Sequence, residues 1–352
     1  MSNSSFSSIT VYENTALFIC DNSTVELSSV SFTNNQFLYS DQTRTTPRLI
    51  LLANSSTLEV SKSSNSFSTY TAQGSAPLRW IEAYNSDLVF SELIFTSNSM
   101  SQAFEIVYIG TESSLLVGGS QFTNNSLLNP TNQAASLILV SADAESMILM
   151  NSTIGENTIE RQNNFLTCHS YCVLNASLIQ SNMFPSNSQV ATIFNMGKTS
   201  SANISYLTFF NNTQNYDDHL IRVQAPLMKA DNLNFTENTL ERYSTGINII
   251  NRDSSFELRN STVIGNKLGV TMLTTTFNAI VRGEIGVDVK IWNFVAYNNR
   301  VDNHYLISVD TDSDLYIEKS LFQDTEMSVF TYFRHGLIYF GKNGNLNLTG
   351  SR

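Results

Sequence analysis

At 352 residues, with 14% charged side chains and a net charge of −11, the chain is long enough to bury a sizeable core and is ill matched to a polyanionic partner, which disfavours nucleic acid and anionic membrane surfaces. No apolar stretch is long enough to span a bilayer, no leader with a basic start opens the chain, and three Cys are too few for a disulfide framework. Asn, Ser and Thr are used heavily and apolar residues at helical spacing are missing, so the expectation is an all-β chain.

Taken in chain order, the first organised segment is Val25 to Phe37, "VELSSVSFTNNQF", with apolar Val25, Leu27, Val30, Phe32 and Phe37 around Asn35. The copy around Asn65 reads as out of register. The template returns with Leu88, Phe90, Leu93, Phe95, Asn98 and Met100, then with Leu115, Val117, Ser120, Phe122, Asn125 and Leu127, then with Met147, Leu149, Ser152, Ile154, Asn157 and Ile159. Further copies end at Asn182, Asn212, Asn238, Asn266 and Asn299; a late one carries Thr325 at that slot, and "LNLTGS" stops within the template. The pattern runs to Arg352, which reads as a segment of a longer β-helical protein; residues 1–352 are taken as one domain.

Alternation by two is the pleat of a strand with one buried face, and the extra residue inside each template marks a bend. Upstream of each copy lies another apolar run and a turn cluster, as in "ILLANSS" and "IINRDSS". Three short strands and their corners in about thirty residues leave no room for a helix or a propeller blade. The fold class predicted is a right-handed parallel β-helix of about eleven coils, on the order of 50 Å long at about 4.8 Å per level.

The fixed Asn is followed two residues later by an apolar residue in nearly every copy, so it rarely forms a glycosylation sequon. It reads as a structural ladder of Asn35, Asn98, Asn125, Asn157, Asn182, Asn212, Asn238, Asn266 and Asn299, each tolerating a left-handed corner and bonding its neighbours through an amide that both donates and accepts. Sequons stand elsewhere, at Asn3, Asn22, Asn54, Asn124, Asn151, Asn175, Asn203, Asn211, Asn234, Asn260 and Asn347; those inside the template take outward slots, which favours N-linked glycans on a secreted protein over compositional accident.

The phrases "SFTNN", "IFTSN", "QFTNN", "TFFNN" and "NFTEN" resemble the FxxN repeats of chlamydial polymorphic outer-membrane proteins, and the coil template resembles the pectin-lyase-like β-helix superfamily over nearly the whole chain. That superfamily spans lyases, hydrolases, adhesins and tailspikes, so the resemblance implies a fold and leaves the activity open. The companion GGAI repeat is missing, with only Gly118-Gly119-Ser120 nearby.

Four clusters have a chemistry to weigh. "NYDDHLIR" gathers Asn215, Asp217, Asp218, His219 and Arg222 and resembles the acidic site of polygalacturonases, without the motifs that should follow it; a solvated corner is the alternative. Asp310, Asp312 and Asp314 could offer oxygens to Ca²⁺, though Leu315 takes the place an EF-hand gives to Gly. Cys168 and Cys172 flank a corner where a disulfide or two reduced packing residues are both open, and His169 beside them makes a weak metal motif. Trp292 falls at an outward slot from which it could stack on a sugar ring. No cofactor is expected. The functional expectation is a structural or adhesive extracellular or cell-surface glycoprotein that self-associates end to end or meets other surface proteins and glycans, with a carbohydrate-binding or carbohydrate-cleaving β-helix as the alternative. Variable insertions after the fixed Asn, Ser40 to Pro47 and Tyr70 to Pro77, are expected to line one side and carry the contacts.

Overall fold

The computed structural model describes residues 1–11, 16, 18–40, 48–73, 77–101, 104–128, 135–160, 162–185, 190–269, 279–302, 304–328 and 336–352. They build a right-handed parallel β-helix of about ten coils roughly thirty residues apart, with no helix among them. The chain divides into two compact units, Met1–Val173 and Leu174–Arg352.

Each coil contributes four strands, one to each of four parallel faces, where the sequence suggested three. In one coil of the first unit these are Thr24–Ser28, Ser31–Thr33, Gln36–Ser40 and Arg48–Ala53, on the first, second, third and fourth faces. The strand added is the one on the third face, just after the fixed Asn. Its counterparts Ser99–Ser101 and Thr158–Ile159 each bury a single side chain, too few to display an alternation.

Residues one coil apart pair Cα to Cα, so like side chains stack. In the first unit the first face stacks Leu27, Val60, Phe90, Val117 and Leu149. The third stacks Phe37, Tyr70, Met100, Leu127 and Ile159, and the fourth Ile50, Ile81, Val107, Ile138 and Leu166. The second unit repeats the device with Met228, Phe256, Val289 and Leu315 on its first face and Phe209, Phe235, Val263 and Ala296 on its second. Rings within columns stack face to face, Phe37 on Tyr70 at 4.6 Å and Phe209 on Phe235 at 4.8 Å. Each fully buried ring of this kind contributes roughly 2–3 kcal/mol of transfer free energy.

The Asn65 copy is in register after all. Ser64–Ser66 pairs residue for residue with Ser31–Thr33 and with Ile94–Thr96, which places Asn65 in the column of Phe32 and Phe95. Side-chain types are exchanged while the backbone is unchanged. Asn65 is buried and donates to the Tyr70 hydroxyl at 2.7 Å, Phe67 turns outward, and Trp80 packs against Phe32, Phe90 and Phe95.

Corners are made by single residues in the left-handed region, such as Ser29, Lys62 and Glu92 between the first and second faces and Asn34, Ser97 and Glu156 between the second and third. The slot accepts any residue that can bear positive φ while its side chain faces water. Gly119 and Gly265 occupy it without steric cost. The insertions expected after the fixed Asn fall largely on 41–47 and 74–76, outside the described residues.

Candidate functional site

The nine fixed Asn side chains all point inward at the corner between the second and third faces. In the first unit the Asn98 N–H and Nδ2 donate to Asn125 Oδ1 at 3.0 and 3.1 Å, and those of Asn125 to Asn157 Oδ1 at 3.0 Å each. In the second unit Asn182 donates to Asn212, Asn212 to Asn238, Asn238 to Asn266 and Asn266 to Asn299 in the same way. The side chains of Asn98, Asn125, Asn157, Asn212, Asn238, Asn266 and Asn299 also donate back to a carbonyl one coil earlier, as Asn125 does to Phe95 at 3.0 Å and Asn238 to Phe209 at 2.8 Å. This explains the FxxN phrase: the Phe fills the core column, one residue faces out, one turns the corner, and the Asn closes it. The left-handed residue is the one before the ladder Asn, in contrast to the sequence expectation; Asn124, Asn211 and Asn298 take it at φ 57°, 52° and 55°. At Asn35 the chain is continued by Ser68, whose Oγ accepts from the Asn35 N–H and whose own N–H donates to Asn98 Oδ1.

Two hydroxyl ladders run at other corners. Between the first and second faces the N–H of Val30, Leu93 and Ser120 donates to Ser63, Ser120 and Ser152 Oγ. Between the fourth and first, Ser23, Ser56 and Ser86 donate to Ser56, Ser86 and Ser113.

All eleven sequon asparagines are exposed or half-buried, and seven of them, Asn3, Asn22, Asn54, Asn124, Asn151, Asn211 and Asn260, have positive φ at outward corners. Cys168 and Cys172 are free thiols: both point into the core, where they share a hydrogen bond that lowers Cys168 and raises Cys172 from the ordinary thiol value. Cys172 lies 3.7 Å from Met147 Sδ, so packing within the column takes the place of a bridge.

The "NYDDHLIR" residues separate by function. Asp218 is buried at a corner and accepts from the N–H of Ala191 at 3.0 Å and of Tyr216 at 3.2 Å; burial pushes its carboxyl well above the usual range. His219 is buried, with Nδ1 2.8 Å from Thr245 Oγ1 and Nε2 3.0 Å from Asn248 Nδ2, contacts that suit a neutral imidazole. Burial, with the charges of Arg222 and Arg282, takes it down to about 3. The three Asp of "DTDSD" take separate partners, Asp310 with Thr311, Asp312 with Asn343 and Asp314 with Asn345. Among the described residues no group of three His, Cys, Asp or Glu side chains is placed to hold a metal ion.

On the fourth face of the first unit, Glu82 is almost wholly buried between Arg48 and Arg79 and accepts from the Tyr84 hydroxyl at 2.7 Å. Arg79 also donates to Glu105 through Nε at 2.9 Å and lies 3.7 Å over the Tyr108 ring.

Outward residues of the first face in the second unit form an open groove. Trp292, Tyr316, Glu257, Arg259, Lys290 and Glu318 line a cavity of about 390 Å³ with Asn347 and Thr349. It arises because Arg259, Trp292 and Glu318 pair in one outward column and Glu257, Lys290, Tyr316 and Asn347 in the next. Arg259 pairs with Glu257 at 3.1 Å and stands 4.8 Å over the Trp292 ring. Two carboxylates and two cations cancel, so the groove pairs two aromatic surfaces with balanced charge, the combination that suits stacking and hydroxyl hydrogen bonding. An adjoining cavity of about 400 Å³ is lined by Arg259, Asn260, Trp292 and Asn293. Trp292 was visible in the sequence as an outward slot. Tyr316 and the four charged residues were not singled out, although the same alternation gives their outward parity.

No protein-family model and no curated protein matches this sequence. Among solved structures, a mannuronan C-5 epimerase A-module from Azotobacter vinelandii is similar over 92% of this chain and 90% of its own, at 10% identity and a TM-score of 0.34. Tailspike protein 3 of bacteriophage CBA120 is similar over 95% of this chain and 55% of its own, at 8% identity and a TM-score of 0.26. The likeness goes no further than the fold.

Proposed function

We propose that this chain is an adhesive β-helix of an extracellular or cell-surface glycoprotein, and that it holds a neutral glycan along the groove on the first face of its second unit. The observation that carries the reading is Trp292 and Tyr316 lining one open cavity whose four charged residues cancel. A sugar's apolar face stacks on an aromatic ring while its hydroxyls bond the flanking Arg259, Glu257 and Glu318, and balanced charge selects against polyanionic chains. The net charge of −11 acts in the same sense.

The test is direct because the chain has two Trp, of which Trp80 is buried in the first unit. Titration of neutral oligosaccharides against intrinsic fluorescence should perturb Trp292 and saturate, and in isothermal calorimetry, which needs no fluorophore, Trp292→Ala should abolish binding with the melting temperature unchanged. Equal binding by wild type and Trp292→Ala rules the groove out. Release of new reducing ends or unsaturated products would replace the adhesive reading by a carbohydrate-cleaving one.

A further inference from the structure

Two of the eleven sequons open onto this groove: Asn260 lines the cavity beside Trp292, and Asn347 lines the one that holds Tyr316. We propose that the N-glycan carried by Asn260 folds back on Trp292 and, with the one on Asn347, occupies the groove in cis, so that glycosylation sets whether a free glycan can bind. This rests on the groove being the glycan contact named above.

Asn260 follows Arg259 at the corner, in the left-handed region at φ 49°, and its N–H donates to the Trp292 carbonyl at 3.0 Å. Its side chain is held from both ends. Oδ1 accepts from Asn293 Nδ2 at 2.9 Å, and Nδ2 donates to Asp231 Oδ1 at 2.7 Å. Transfer of an oligosaccharide from a lipid pyrophosphate donor forms the bond from sugar C1 to Nδ2, breaks the C1–O bond to phosphate, expels the lipid pyrophosphate and releases one Nδ2 proton. The second proton stays and still faces Asp231, which fixes the side-chain torsion. With Nδ2 committed to Asp231 of the preceding coil and Oδ1 to Asn293 of the next, the sugar bond points out of the surface between them, and the glycan reaches back to the cavity that Asn260 shares with Arg259, Trp292 and Asn293, whose volume of about 400 Å³ is within the range of small-ligand sites. There it stacks on the indole, the arrangement that also suits a bound glycan. Asn347 stands opposite Tyr316 in the neighbouring strand, so its glycan covers the other aromatic.

The experiment compares wild type secreted from a glycosylating eukaryotic host with Thr262→Ala, which removes the Asn260 sequon and leaves the Asn260 contacts in place, and with Asn260→Gln as a second route. Intact-mass and glycopeptide analysis reads occupancy, and acrylamide quenching reads Trp292. Occupied wild type should show quenching of half-buried Trp292 several-fold weaker than either variant. The same wild-type chain made in a non-glycosylating host, with the groove residues unchanged, should bind a neutral oligosaccharide at least tenfold more tightly than the occupied protein. An unoccupied Asn260, or identical quenching in all three proteins, overturns the proposal. Protection of Trp292 without oligosaccharide binding by the unglycosylated chain keeps the folded-back glycan and defeats the adhesive reading instead.

Discussion

The ladder asparagines use both ends of the amide, and this makes their chemistry specific. Asn125 accepts at Oδ1 from the Asn98 backbone N–H and side chain, and donates from Nδ2 to the Phe95 carbonyl. An Asp there keeps the acceptor, loses the donor and sets a buried carboxylate against a carbonyl oxygen. Asn125→Asp should lower stability by about 3 kcal/mol, read from thermal or urea unfolding, and an unchanged midpoint would contradict the ladder as a source of stability. His219 supplies a residue-scale prediction with a sign. Its folded pKa lies near 3, below the unfolded value of about 6.5, so the unfolded chain binds the extra proton first and the His219 contribution is complete above about pH 6.5 and lost as pH falls toward 3. Asp217 and Asp218, raised by burial, act in the opposite sense in both proteins and cancel in a comparison with His219→Gln. The stability lost between pH 7 and pH 5 should be about 2 kcal/mol smaller in His219→Gln than in wild type. The ladder was legible because one residue type recurs at one slot. The Ser63, Ser120 and Ser152 ladder was less so, because Val30 and Leu93 hold the same slot in other coils and only backbone geometry shows that the hydroxyls accept there.

At the scale of strands and corners, alternation reveals which side chains point in and says little about what neighbouring coils place beside them. This is why Trp292 could be read as outward while its groove could not: Arg259, Trp292 and Glu318 come from three coils. It is also why Asn65 was misread, since its exchange with the usual Phe alters side-chain types and leaves the pairing intact. The cost of that exchange sits at Phe67, a large exposed side chain at φ 54° in a slot where the preceding coil has Asn34. A left-handed non-Gly residue costs roughly 1–2 kcal/mol, and Gly returns part of this through its freer unfolded state. Phe67→Gly should therefore stabilise by about 0.5 kcal/mol, a rise in melting point of about 1 °C; a fall would mean that the ring packs in a way its exposure does not suggest. The fourth face of the first unit gives the opposite case. Glu82→Ala leaves Arg79 its pair with Glu105 and should cost about 2 kcal/mol in urea unfolding, whereas Arg79→Met, which takes the ion pair from Glu105 and leaves buried Glu82 with Arg48 alone, should cost more.

Over the whole molecule, each ladder bond, core column and strand pair described joins a coil to the one before or after it, which is the interaction pattern of a repeat protein. Stability in such a chain is a sum of coil terms and neighbour terms, so damage spreads over a few coils and fades. The corner N–H groups that donate to ladder oxygens report this by hydrogen exchange, because they are buried and each depends on one named acceptor. In Asn125→Asp the amides of Asn98, Leu93 and Ser120 should exchange at least tenfold faster, since their acceptors lie in the altered coil or its neighbours. Those of Asn212 and Asn238 in the second unit, which depend on Asn238 and Asn266, should keep their wild-type rates. If all of these amides accelerated together, opening would be global and the coils would behave as one cooperative body, and the nearest-neighbour account of stability would fail.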